Sequence, residues 1–168
     1  MAASLKRWFY RGGRPNRAAR TIDGWTAALY ARGIAPDRLV VLEVPGRSTG
    51  RTIATPLVMA VVGGERHLVS MLGEGSNWVR NVRAAGGAAA LRHGRREEVR
   101  LEEVAPGERA PVLRAYLRRA PNARVHLPVS MDAPPEEFAR VAPLYPVFRV
   151  TAASTGTTRQ APPAAEAG

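Results

Sequence analysis

The chain has 168 residues, a net charge of +11 and no cysteine. That length fits one domain, and the missing thiols exclude cysteine nucleophiles, thiolate zinc sites and iron–sulfur clusters. Lys6 is the only lysine, so the positive charge is nearly all arginine, the side chain suited to bidentate contact with phosphate or carboxylate.

The first thirteen residues break into charge before an apolar signal core forms, and no apolar run approaches the ~20 residues of a membrane span. A cytoplasmic protein is the expectation. Trp8, Phe9 and Tyr10, set between Lys6, Arg7 and Arg11, offer a peripheral contact with the inner membrane face; the plain alternative is a frayed terminus. Residues 1–15 are therefore separated as a basic, aromatic segment, residues 16–151 form the domain, and 152–168, small, polar and proline-rich, read as a disordered tail.

Ala18, Ile22, Trp25 and Leu29 recur at helical spacing and predict a helix over 16–32, with Gly33 as its C-cap and Pro36 beyond. Leu39 to Val44 reads as a strand ending at Pro45-Gly46. Ile53 to Val62 reads as a longer one, in which Pro56 indicates an edge or bulge. Gly63-Gly64 turns the chain into a strand over His67 to Leu72. Ser76 is a candidate N-cap for a short helix ending near Ala84, and Gly86-Gly87 terminates it. Ala88 to His93 and Glu97 to Val104 form a hairpin around Gly94. Pro106 opens a helix with an apolar stripe of Val112, Leu113, Tyr116 and Leu117. Asp132 is a candidate cap for a helix running to Val141, and Tyr145 to Thr151 is a last strand. About six mostly antiparallel strands with helices outside them give an α+β fold, a small barrel or sheet.

Two segments could hold an anion. Pro45-Gly46-Arg47-Ser48-Thr49-Gly50-Arg51 joins two strong strands, and its glycines permit close backbone approach while its arginines and hydroxyls donate; the plain alternative is a solvated hairpin turn. Gly73-Glu74-Gly75-Ser76-Asn77-Trp78-Val79-Arg80-Asn81-Val82-Arg83 runs a glycine loop into a helix N-terminus, where the dipole favours negative charge. Arg80 and Arg83 could reinforce it, and Trp78 is either a core anchor, a pocket wall, or both.

Other signatures are missing. There is no dinucleotide or P-loop glycine motif and no nucleophile elbow. His67, His93 and His126 lack metal-ligand spacing, and no metal is expected. Glu97, Glu98, Glu102 and Glu103 alternate with Arg96 and Arg100, which describes a salt-bridged strand face rather than a paired-carboxylate hydrolase. Catalytic residues are not identifiable, so an enzyme built this way leaves the hard chemistry to a cofactor.

Two stretches in this order, Val41 to Leu57 with Gly46-Arg47-Ser48-Thr49-Gly50 and Thr55-Pro56-Leu57, then Trp78-Val79-Arg80-Asn81-Val82-Arg83-Ala84, resemble the deazaflavin-dependent nitroreductase and quinone reductase family. The resemblance covers about Leu39 to Val104. It implies an FMN-binding-type split β-barrel and coenzyme F420, an 8-hydroxy-5-deazaflavin, with FMN as runner-up. It implies hydride transfer to a small-molecule electron acceptor, a quinone, nitroaromatic or other activated unsaturated compound. It also implies that Arg47, Ser48, Thr49, Gly50 and Arg51 hold the cofactor's phosphate or polyglutamate tail, with Pro56 in the same motif. Met71, Leu72 and Gly73 would line the deazaflavin ring, while Ser76, Trp78, Arg80 and Asn81 close the pocket. Relatives often carry basic residues where Ser48 and Ile53 stand, which turns attention to Arg80 and Arg83 as substitutes. Tyr116, Tyr145 and water are the open choices for a proton donor.

Two other readings stand beside it. One is a flavin-, haem- or lipid-binding barrel without turnover, since fold does not fix function. The other, a nucleic-acid binder, rests on charge alone and lacks aromatics interleaved with the basic residues, so no nucleic acid is expected. A homodimer is left open.

Overall fold

In a computed structural model, residues 38–153 are described, with backbone only at 121 and 122. The helix expected over 16–32, the segment 1–15 and the tail from 154 lie outside the described residues. Among those described, no helix is long and apolar enough to cross a membrane.

Six strands close into an antiparallel barrel: β1 (Leu39–Pro45), β2 (Thr52–Val62), β3 (Glu65–Val69), β4 (Ala88–His93), β5 (Arg95–Glu103) and β6 (Val147–Ala152). They follow one another around the barrel as β1-β2-β3-β6-β5-β4, with β4 returning to β1. Among the described residues, three α-helices accompany it: α1 (Asn77–Ala84), α2 (Ala110–Arg119) and α3 (Pro135–Val141).

Period-two alternation sorts the side chains of β2, β3 and β6 between two cores, while β1, β4 and β5 serve one. Val40, Leu42 and Val44 of β1 share the barrel interior with Leu68, Leu91, Leu101 and Phe148, and α1 adds Trp78, Val79 and Val82. On the outer wall, Ala60, Val69 and Val147 meet the α2 stripe of Val112, Leu113, Tyr116 and Leu117, together with Phe138 of α3. The stripe is spaced as the sequence requires for one helix face.

β2 outruns its neighbour. It pairs with β3 only from Met59 onward, so Thr52 to Val58 is an edge on that side. Met59 N–H donates to Arg38 O across β1 at 2.7 Å, which sends the even-numbered N–H groups of β2 the other way. Pro56, opposite Val41, therefore removes no ladder bond. That explains how a proline sits inside an eleven-residue strand.

Several boundaries differ from expectation. β3 spans Glu65–Val69 rather than His67 to Leu72, because the Gly63-Gly64 turn starts pairing at once and Ser70 folds the chain back. The helix expected from Pro106 splits into a short turn, Pro106–Glu108, and α2. Asp132 is not a cap: Pro134 stands at the N-cap of α3, where no side chain caps the helix. β6 begins at Val147 and runs through Ala152.

Candidate functional site

The loop between β1 and β2 is built on Gly46, whose N–H donates to Arg51 O at 2.8 Å and whose carbonyl accepts from Thr49 and Gly50. Gly50 closes the turn at φ 68°, with nothing within 4 Å of where a Cβ would stand. This is a left-handed conformation that glycine adopts without cost. Arg47, Ser48, Thr49 and Arg51 are all exposed. Ile53 leans over Gly46, its Cδ1 lying 2.8 Å from the position of a Cβ there.

This loop reaches α1. Asn81 Oδ1 accepts from the main-chain N–H of Arg47 at 3.3 Å and from its Nη1 at 2.9 Å. Asn81 is 1% exposed, and its Nδ2 is buried without a partner. The two sequence-distant stretches are therefore neighbours. The guanidiniums of Arg51 and Arg80 have no ion-pair partner among the described residues, whereas Arg83 is fully engaged with Glu74 and Glu103. Of these two arginines, only Arg80 lacks an ion-pair partner among the described residues.

Ser76 occupies the N-cap position of α1, but its side chain makes no cap bond. Its Oγ lies 2.6 Å from Ser70 Oγ, which donates to Gly73 O at 2.8 Å. The serine pair draws Met71 and Leu72 into a turn beyond β3. Trp78 is 7% exposed, and its ring lies 5.4 Å from that of Phe148 at 59°, so it anchors α1 to the barrel interior. Pro56 sits half-buried in β2.

Met71, Leu72 and Gly73 line a cavity of about 280 Å³ with His126, Leu144 and Tyr145. None of the residues from Arg47 to Arg51 lines it. Leu72 and Leu144 are half or more exposed, at 51% and 61%, which gives the cavity an apolar rim. Gly73, at φ 71°, would bring a Cβ within 3.0 Å of Leu144 O. The Tyr145 hydroxyl donates to His126 O at 2.7 Å, and burial pushes its pKa up. Tyr116, the other candidate donor, lies in the α2 core with its pKa pushed up by burial to about 12.

Sequence reasoning missed Arg109, which is 4% exposed and donates to Val104 O, Tyr145 O and Glu103. Nothing in the linear pattern distinguishes it from surface arginines. Nor did Ser70, His126 or Leu144 carry a signal. Among the described residues, no cluster of His, Cys, Asp or Glu could hold a metal.

An elongated anionic cofactor requires unpaired cations, an approachable backbone and spare donors. Arg51, Arg80, the open Gly50 turn and the orphaned Nδ2 of Asn81 supply these, so the residues present fit such a group.

The family model described as F420H(2)-dependent quinone reductase matches residues 17–127. A solved F420-H2 dependent reductase, FDR-A, is 19% identical over 68% of this chain and 94% of its own, with a TM-score of 0.49. A solved structure described as a domain-swapped dimer is 16% identical over 89% of this chain and 99% of its own, with a TM-score of 0.50. A protein of unknown function from Agrobacterium tumefaciens is 13% identical over 77% of this chain and 55% of its own, at 0.53; it and the dimer are similar in fold alone. No curated protein matches the chain. By the family match, which spans the Arg47 loop, the Trp78 helix and the barrel between them, the chain belongs to the F420H(2)-dependent quinone reductase family and is an oxidoreductase whose cofactor is coenzyme F420.

Proposed function

We propose that this protein reduces a small quinone, a nitroaromatic or another activated unsaturated acceptor at the expense of reduced F420. The observation that carries the reading is the joining of the Arg47 loop to α1 through Asn81, beside the turn whose Met71, Leu72 and Gly73 line an apolar-rimmed cavity. F420, when bound, supplies a hydride.

In this reading Arg47, Ser48, Thr49, Gly50 and Arg51 grip the cofactor's phosphate and acidic tail, and Arg80 adds the charge that Ser48 and Ile53 do not. Charge-assisted hydrogen bonds of this kind are about twice as strong as neutral ones. Asn81, Ser76 and Trp78 hold the frame, and Pro56 keeps the neighbouring strand edge from pairing. Met71, Leu72 and Gly73 flank the ring. At about 280 Å³ the cavity falls just below the range for ligand pockets, which favours a compact acceptor held there against the ring. Reducing a quinone to a hydroquinone takes one hydride and one proton. Tyr145, a phenol that is protonated at neutral pH in any case, lines the cavity and gives that proton in this reading, and water restores it.

A cytoplasmic location, a homodimer and a contact of Trp8, Phe9 and Tyr10 with the inner membrane face are compatible with the same reading, as is a frayed terminus. Size-exclusion chromatography and liposome sedimentation test those two contacts.

The test of the function is steady-state oxidation of reduced F420 by the purified chain, with menadione and a nitroaromatic as acceptors. Turnover with either supports the reading. F420 binding without oxidation by any member of a quinone and nitroaromatic panel contradicts it, as does a preference for FMN.

A further inference from the structure

We propose that Glu74, Arg83, Glu103 and Arg109 form a strut that sets the two walls of the cavity against each other, making Glu74 and Arg83 positioning residues for the acceptor. The proposal rests on reading that cavity as the acceptor site.

The contacts run without a break from one wall to the other. Arg83, in the last turn of α1, donates from Nη1 and Nη2 to Glu74 at 2.6 and 3.1 Å. It donates from Nε and Nη2 to Glu103 at 2.9 and 2.6 Å. Glu74 belongs to the Gly73–Gly75 turn, so the first contact holds the wall that carries Met71, Leu72 and Gly73. Glu103 ends β5, and its Oε1 also accepts from Arg109 Nη2 at 3.1 Å. Arg109 sends Nε to Val104 O at 2.8 Å and Nη1 to Tyr145 O at 3.4 Å. Tyr145 is the opposite wall.

The walls leave little slack where they meet, since even a Cβ on Gly73 would come within 3.0 Å of Leu144 O. A turn set free from Glu74 can shift by a few tenths of an ångström and change the width of the cavity. The Glu74–Arg83 end of the strut is also badly placed to serve global stability. Glu74 and Arg83 side chains are 54% and 40% exposed, and exposed ion pairs contribute little to folding. What they fix is position.

The experiment uses the full chain with reduced F420 and menadione. It compares Glu74→Gln, Glu74→Asp and Leu144→Trp, the last narrowing the cavity itself. For each variant it reads acceptor KM, kcat, F420 Kd by fluorescence, and melting temperature. Glu74→Gln is expected to raise acceptor KM about fivefold, a loss of acceptor binding at constant chemistry. kcat should stay within about twofold and melting temperature within a degree or two, F420 Kd should rise less than acceptor KM because the ring rests on the same turn, and Glu74→Asp should recover most of the loss. If Leu144→Trp raises KM while Glu74→Gln leaves it at the wild-type value, the acceptor site stands and the strut is overturned. If Leu144→Trp leaves KM unchanged, the cavity is not the acceptor site and the strut falls with it. If Glu74→Gln lowers melting temperature, F420 affinity and kcat together, the pair is merely structural and the proposal is overturned.

Discussion

The amide oxygen of Asn81 receives both the main-chain N–H and the Nη1 of Arg47, a residue 34 positions earlier in the chain. One buried acceptor thus fixes the backbone and the charged head of the same arginine. A loop that would otherwise be a free hairpin turn is tied to the helix next to it. Because the acceptor is almost fully shielded from water, leaving its donors unmade carries the full cost of desolvation.

Removing either partner should therefore loosen the loop. Asn81→Ala is expected to destabilise the fold by about 1–3 kcal/mol and to weaken F420 binding about tenfold. Arg47→Ala should weaken binding to a similar degree. The two losses should not add, with a coupling of about 0.5–3 kcal/mol in a double-mutant cycle of F420 Kd. Strict additivity would mean that the latch does not serve the cofactor.

Arg51 and Arg80 are exposed and have no ion-pair partner among the described residues. Arg51→Ala and Arg80→Ala should leave stability within about 0.5 kcal/mol while raising F420 Kd about tenfold each. The affinity of both variants should depend less on salt than that of the parent chain. Isothermal titration at two ionic strengths checks this.

Trp78 anchors α1 in the barrel interior against Phe148. Trp78→Ala should cost about 3–5 kcal/mol, measured by urea unfolding. A loss below about 1 kcal/mol would show that α1 is held by its polar contacts instead.

Acid should destabilise the protein through two groups of opposite kind. Arg66 donates to Glu97 at 2.8 and 2.7 Å and holds its pKa below the ordinary 4.5. That contribution is complete above 4.5 and is lost as pH falls through the depressed value. Burial likewise lowers the pKa of His67 from 6.5, ahead of the opposing effect of its Glu65 hydrogen bond and charge. The fold keeps this ring neutral, so its share of stability is present above 6.5 and declines as pH falls below it. Melting temperature against pH should flatten below 4.5 in Glu97→Gln, and in the window just below 6.5 in His67→Asn.

Strand positions were legible because local chemistry and tertiary structure agree. Gly63-Gly64 and Gly94 make the hairpins, and Val99 and Leu101 alternate with charged neighbours as they do on the barrel wall. Pro56 announced an edge, and β2 has one there. The α2 stripe landed on the core residue by residue. Two anion-friendly loops could be read from their glycines and arginines, yet their meeting through Asn81 could not, since register around a barrel is set by contacts far apart in sequence. Ser76 stands at the N-cap position expected for it, but its hydroxyl meets Ser70 instead of capping, a contact no local pattern announced. Arg109 and Arg83 look alike in the sequence, as two arginines among many. Only burial separates the first, and only two facing carboxylates separate the second.

The central claim is that the Arg47 loop and the α1 helix together grip an acidic deazaflavin. Fluorescence titration of the purified chain with F420 measures this directly, with Arg47→Ala and Arg80→Ala run alongside. Saturable binding in the micromolar range is expected, weakened about tenfold by each substitution. An F420 affinity that neither substitution changes would contradict it.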